Sequence, residues 1–156
     1  MKVKMYRTVL DGCRYPSLVA ENGSYVCDGR KTFTSSDDIY FFCKDQLGMV
    51  DAAEEYVYCF ALDLRGKLMG LFEVSHGTVN SSLVSTREVF QKLLMMNAAA
   101  FIVVHNHPSG DPSESKEDLD ITKKLKNAGD VMNIKLLDHI IIGDNIYNSL
   151  REKGCI

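Results

Sequence analysis

The spacing of apolar residues changes several times along the chain, and each change marks an element. Residues 100–104, Ala-Phe-Ile-Val-Val, are a short apolar run without helical punctuation and read as a buried strand. Residues 55–63 and 67–75 read as a hairpin turning around Arg65-Gly66. Helical spacing appears at 37–47, capped by Ser35 or Ser36, with Ile39, Phe42, Cys43 and Leu47 inward. It appears again from Ser85, where Glu88 completes a capping box, to about residue 97, with Val89, Phe90, Leu93 and Leu94 inward. A third helix starts near Ser115 and carries the stripe Ile121, Leu125, Ala128 and Met132. Strands follow near 134–142 and 146–149, joined by Gly143-Asp144-Asn145. Before all of these, residues 1–32 alternate and contain Asn22-Gly23, a hairpin turn signal. The expected organisation is a β extension at 1–34 followed by an α/β domain at 35–156.

Composition narrows the class without naming a function. The chain has 156 residues, 46% hydrophobic and 25% charged, which suits one globular domain. Its longest apolar runs are far too short to span a bilayer. Met1 to Tyr6 alternates and forms no apolar export-signal core. The five cysteines are odd in number, scattered and without a Cys-x-x-Cys pair, and Cys43 and Cys59 lie in apolar segments as buried thiols. A reduced, cytoplasmic protein is expected. The net charge of −3 argues against a dedicated DNA-binding surface. Lys116, Lys123, Lys124 and Lys126 are interrupted by acids and read as a solvated helix face.

The chemistry concentrates in His105-Asn106-His107-Pro108, with Ser115 and Asp118 shortly after. At the exit of a strand, residues two apart point to one side, so His105 and His107 can address one ion. Pro108 keeps His107 extended, and Ser109, Gly110, Asp111 and Pro112 turn the chain away. Asp118 lies three residues before Ile121, on the inward stripe, where a carboxylate is costly unless paired or bound to metal. Two histidines and one carboxylate leave a fourth tetrahedral position open, as in catalytic zinc sites. Taken alone, the histidines also read as ordinary polar residues, and Ser115 with Asp118 as a helix start. His139, within an apolar strand, reads as a satisfied core residue. His76 reads as a loop residue, and Tyr6, Tyr15, Tyr25 and Tyr40 as packing.

His-x-His-Pro followed by Ser-x-x-Asp resembles the JAMM motif of JAB/MPN-domain metallopeptidases. The string His105 to Pro112 narrows the resemblance to the RadC-like branch. Gly77-Thr78-Val79-Asn80, Arg87-Glu88-Val89, Asn97-Ala98-Ala99-Ala100 and Leu137-Asp138-His139 point the same way, and the likeness covers about residues 35–153. Glu114 departs from it, since that branch often has proline before the motif serine; this affects loop stiffness, not ligand chemistry.

The resemblance implies a cytidine-deaminase-like fold, a mixed, curved sheet flanked by helices. It implies one zinc ion per chain, held by His105, His107 and Asp118. A general base is implied at the start of a core strand, matched by Glu55 before the run Tyr56 to Leu62, with Glu54 as the neighbouring alternative. Read without the resemblance, both acids are a solvated strand entrance. Ser115 is implied to hydrogen-bond the reacting water or the developing oxyanion. The implied activity is hydrolysis of an amide bond in a peptide or protein substrate, peptide or isopeptide. The alternative is a DNA-repair-associated accessory or DNA-binding protein with a non-catalytic metal site. Full-length members of the branch carry an N-terminal helix-hairpin-helix region, whereas this chain opens on β-like sequence. A zinc deaminase is disfavoured because no Pro-Cys-x-x-Cys follows the histidines. Nothing in the sequence sets the oligomeric state.

Overall fold

Five strands and three helices place the candidate residues. They were followed in a computed structural model, which describes residues 2–21, 24–26, 33, 35–77 and 84–156. Helix α1 (Ser36–Leu47) starts where the Ser35 hydroxyl accepts the Asp38 amide and stops at Gly48 in the left-handed region. Helix α2 (Thr86–Met95) starts at Ser85, which accepts the Glu88 amide. Helix α3 (Lys116–Met132) starts at a reciprocal capping box between Ser115 and Asp118 and ends on left-handed Asn133.

The N-terminal strands β1 (Lys2–Val3), β2 (Tyr6–Leu10), β3 (Pro16–Ala20) and β4 (Tyr25–Val26) form two small antiparallel pairs, β1 with β4 and β2 with β3. The larger sheet contains β5 (Glu55–Leu62), β6 (Leu68–Gly77), β7 (Ala100–Asn106), β8 (Lys135–Ile142) and β9 (Tyr147–Ser149), in the order β6-β5-β7-β8-β9. Only β7 and β8 run parallel. A parallel pair needs a long crossover, and α3 supplies it. The Leu71 amide donates to the Lys4 carbonyl, so the N-terminal segment lies along β6 and covers part of that sheet edge.

Alternation sorts the side chains into two cores. On one face Ile39, Phe42 and Cys43 of α1 pack with Tyr58, Phe60, Ile102 and Ile140. On the other, Val89 and Leu93 of α2 and Ile121 and Leu125 of α3 pack with Cys59, Phe101 and Val103. Strand β7 is central and buried throughout, hence its unbroken apolar run. Burial raises the Cys43 and Cys59 thiols above their ordinary values.

Several expectations need correction. Leu94 and Met132 are exposed, because α2 touches the sheet along a narrow stripe and α3 makes its last contact through Gly129. A Cβ on Gly129 would lie 2.4 Å from the Ile134 carbonyl oxygen. Tyr15 sits exposed beyond the end of β2 and does not pack. His76 belongs to β6, paired with Tyr56, and not to a loop. The Asn22-Gly23 turn, Thr78-Val79-Asn80 and Cys27 lie outside the described residues. No described helix is long and apolar enough to cross a membrane.

Candidate metal centre

Strand β7 runs two residues beyond the apolar core, so His105 and Asn106 are still paired with β5 or β8 when the chain turns at His107. His105 faces the α3 side and is fully buried. The His107 amide donates to the Ile142 carbonyl, which brings His107 beside His105. Their Nε2 atoms are 3.0 Å apart. The Nδ1 of His107 donates to the Asp111 carbonyl at 2.8 Å, leaving its Nε2 lone pair for the cluster.

The loop that makes this possible is tied to the sheet at several points. The Gly110 amide donates to the His107 carbonyl, and the Gly110 carbonyl accepts the Asp144 amide. Gly110 has φ +82°, which only glycine adopts without strain. A Cβ on Gly143 would lie 2.3 Å from the Gly110 carbonyl oxygen. The Asn148 side-chain amide donates to the Pro112 carbonyl and to Glu114.

Asp118 closes the set from the first turn of α3, 5% exposed. Its Oδ2 accepts the Ser115 amide at 2.8 Å and the Ser115 hydroxyl at 2.7 Å. Its Oδ1 faces His105 Nε2 at 3.1 Å, and Oδ2 lies 3.5 Å from His107 Nε2. Burial alone would raise the Asp118 carboxyl. The contacts with His105, His107 and Ser115 together outweigh it and hold the group ionised, well below the usual carboxylate range. Behind His105, His139 is buried with its Nε2 2.8 Å from His105 Nδ1. Burial, reinforced by the neighbouring His105, holds His139 well below its ordinary value.

These donors fit a tetrahedral ion. Ligands about 2.0–2.2 Å from zinc in a tetrahedron lie roughly 3.3–3.6 Å from one another. The two imidazole nitrogens, 3.0 Å apart, and His105 Nε2 with Asp118 Oδ1, 3.1 Å apart, lie slightly inside that edge, while His107 Nε2 is 3.5 Å from the other carboxylate oxygen, Oδ2. His105, His107 and Asp118 each offer one donor atom within 4.8 Å of the others, so the cluster could hold a metal ion. It opens on a cleft of about 330 Å³ whose walls include Glu55, Pro108 and Glu117.

Glu55 reaches that cleft through strand register. Val57 pairs with His105, and cross-strand partners share a face, so Glu55, two residues back, shares it too. Glu54 precedes the strand and is exposed. The segment is held by Asn106, which the sequence reading missed. Its side-chain oxygen accepts the Tyr56 amide at 2.8 Å, and its nitrogen donates to the Glu54 carbonyl at 3.0 Å. Both peptide groups flanking Glu55 are thus bonded to the residue between the two histidines. Alternation along β7 was the available signal, since it turns Asn106 away from the ligand side. Ser115 is committed in both directions, accepting the Asp118 amide and donating to the Asp118 carboxylate. His76 stands apart from the donor cluster, bonded to Glu73 and stacked on Tyr56.

A mixed sheet with its donors at the exit of a central strand and the start of the following helix is the JAB/MPN arrangement. The chain belongs to the RadC-like JAB domain family, whose profile matches residues 33–155. It is 43% identical over 131 residues to a UPF0758 protein of Geobacter sulfurreducens, covering 84% of this chain and 56% of that one. A UPF0758 protein of Geotalea uraniireducens is 46% identical over 137 residues, covering 88% and 59% respectively. One from Bacillus licheniformis is 40% identical over 131 residues, covering 84% and 58%. The chain therefore spans somewhat over half the length of these relatives.

Proposed function

We propose that this chain is a cytoplasmic zinc-dependent hydrolase that cleaves an amide bond, peptide or isopeptide, in a peptide or protein substrate. The observation that carries the reading is the shared cleft. Three zinc-type donors and two carboxylates outside the donor set border the same open space, and of these Glu55 comes from the strand paired with His105 while Glu117 comes from the first turn of α3. When bound, zinc supplies Lewis acidity, polarising a carbonyl and making water a nucleophile near neutral pH.

The chain's own residues do the rest. His105, His107 and Asp118 would hold the ion at the wall of the cleft. Glu55 is the general base, taking a proton from the attacking water and later passing it to the leaving amine nitrogen. Asn106 keeps Glu55 on that side by binding the peptide groups before and after it. Ser115 orients Asp118 first, because its proton is already donated there. Redirecting that proton would let it stabilise an oxyanion.

Metal analysis of protein purified without chelators should find about one zinc per chain, lost in His107→Ala. Glu55→Gln should keep its zinc and lose hydrolysis across a panel of peptide and isopeptide substrates. Undiminished hydrolysis in that variant would refute the base assignment. Unchanged zinc content in His107→Ala would refute the site.

A further inference from the structure

A chain of three buried contacts runs behind His105, beside a cavity of only about 10 Å³ that His105 and His139 help to line. His105 Nδ1 lies 2.8 Å from His139 Nε2, and His139 Nδ1 lies 2.6 Å from Thr122 Oγ1. Thr122 Oγ1 in turn lies 2.6 Å from the backbone carbonyl of Asp118. Thr122 and His139 are 2% and 1% exposed, so water does not offer them substitute partners.

The direction of this chain follows from what each group can do. A carbonyl only accepts, so the contact with Asp118 uses the single Thr122 proton. The Thr122 oxygen must then accept from His139 Nδ1–H. A neutral His139 protonated at Nδ1 has a bare Nε2, which must accept from His105 Nδ1–H. His105 protonated at Nδ1 carries its lone pair on Nε2, the atom that faces His107 and Asp118. All three contacts are satisfied together in this direction only. In the reverse direction His105 Nε2 bears the proton and cannot ligate, and Thr122 loses its contact with the carbonyl.

We propose that His139 and Thr122 are positioning residues that hold His105 in its metal-ligating tautomer, through a one-way chain of hydrogen bonds from His105 Nδ1 to the Asp118 carbonyl. The chain begins on one ligand residue and ends on the backbone of another, so it ties β7, β8 and α3 together behind the ion. Outer partners of ligating histidines fix ring orientation and tautomer in this way in metal sites generally. The inference rests on reading His105, His107 and Asp118 as metal ligands.

Thr122→Val keeps the side-chain shape and removes the relay oxygen, while Thr122→Ser restores it. Zinc affinity, measured by competition with a chromophoric chelator, should fall about ten- to hundredfold in Thr122→Val and return to near the wild-type value in Thr122→Ser. Long-range ¹H–¹⁵N spectra of the zinc-loaded wild type should show His139 protonated at Nδ1 and bare at Nε2. In metal-free Thr122→Val, His105 should shift towards the tautomer protonated at Nε2. An Nε2-protonated His139 in the loaded wild type would overturn the proposal, and that measurement needs no variant to fold. So would Thr122→Val binding zinc within twofold of the wild type while His107→Ala loses it. A wild type that binds no zinc, or a His107→Ala that binds it equally well, would instead overturn the underlying site and the relay with it.

Discussion

The two histidines of the donor set lie two residues apart and are held by opposite means. His105 belongs to the central strand, is enclosed by the core and is fixed by side chains from β8 and α3. His107 lies just past the strand, is partly open to the cleft and is fixed by the backbone of its own loop. One ligand comes with the folding of the core. The other depends on a short loop whose geometry is specified by glycines. The two therefore differ in what else is lost when they are removed.

Replacing each histidine by alanine breaks that comparison most strongly. Both variants should lose zinc, but His105→Ala also opens a buried gap and leaves His139 Nε2 without its partner. It should cost the metal-free protein about 2–4 kcal/mol, against less than about 1 kcal/mol for His107→Ala. Denaturant midpoints of the metal-free proteins check this, and equal losses would remove the distinction.

Gly143→Ala tests the loop alone. Its new methyl would collide with the Gly110 carbonyl and the Pro112 ring, so the His107 loop must move. A cost of about 1–3 kcal/mol is expected, with weakened zinc binding and unchanged hydrogen-exchange protection across β7. Loss of protection in β7 would show that the loop and the strand are one unit.

The smallest effect is the part of the pH dependence that His107 contributes. In the metal-free chain its hydrogen bond with Asp118 raises the ring above its ordinary value, outweighing burial, which acts the other way. A raised imidazole stabilises the fold fully below its unfolded value of about 6.5. That contribution is lost as pH rises through the folded value. The metal-free midpoint of the wild type should therefore fall relative to that of His107→Ala as pH rises above about 6.5. An identical slope in that variant would assign the pH dependence to other groups.

Much of this was legible before any coordinates, for reasons that differ by residue. The period of β7 and the capping pattern at Ser115 are local, and both appear where expected. The inward position of Asp118 needed only helical spacing back from Ile121. Leu94 and Met132 were misread because periodicity gives a helix's face but not the width of the surface it meets. His76-Gly77 looks like a turn by composition, yet backbone pairing with Glu55 and Tyr56 carries the strand through it. The Asn106 clamp and the His139–Thr122 contacts join residues between 17 and 52 positions apart. Such pairings become visible only once strand register and helix placement are known.

Asn106 also limits how the chain can vary at this point. The His-Asn-His triplet writes instructions to both faces of one strand, the outer letters to the ion and the middle one to the neighbouring strand. Slipping β7 by a single residue against β5 would exchange those addressees, burying an amide where a ligand belongs and turning both imidazoles into the apolar layer under α1. The triplet thus works as a parity check on the sheet: a chain that pairs these strands out of step loses its ligands and its support for Glu55 in the same error.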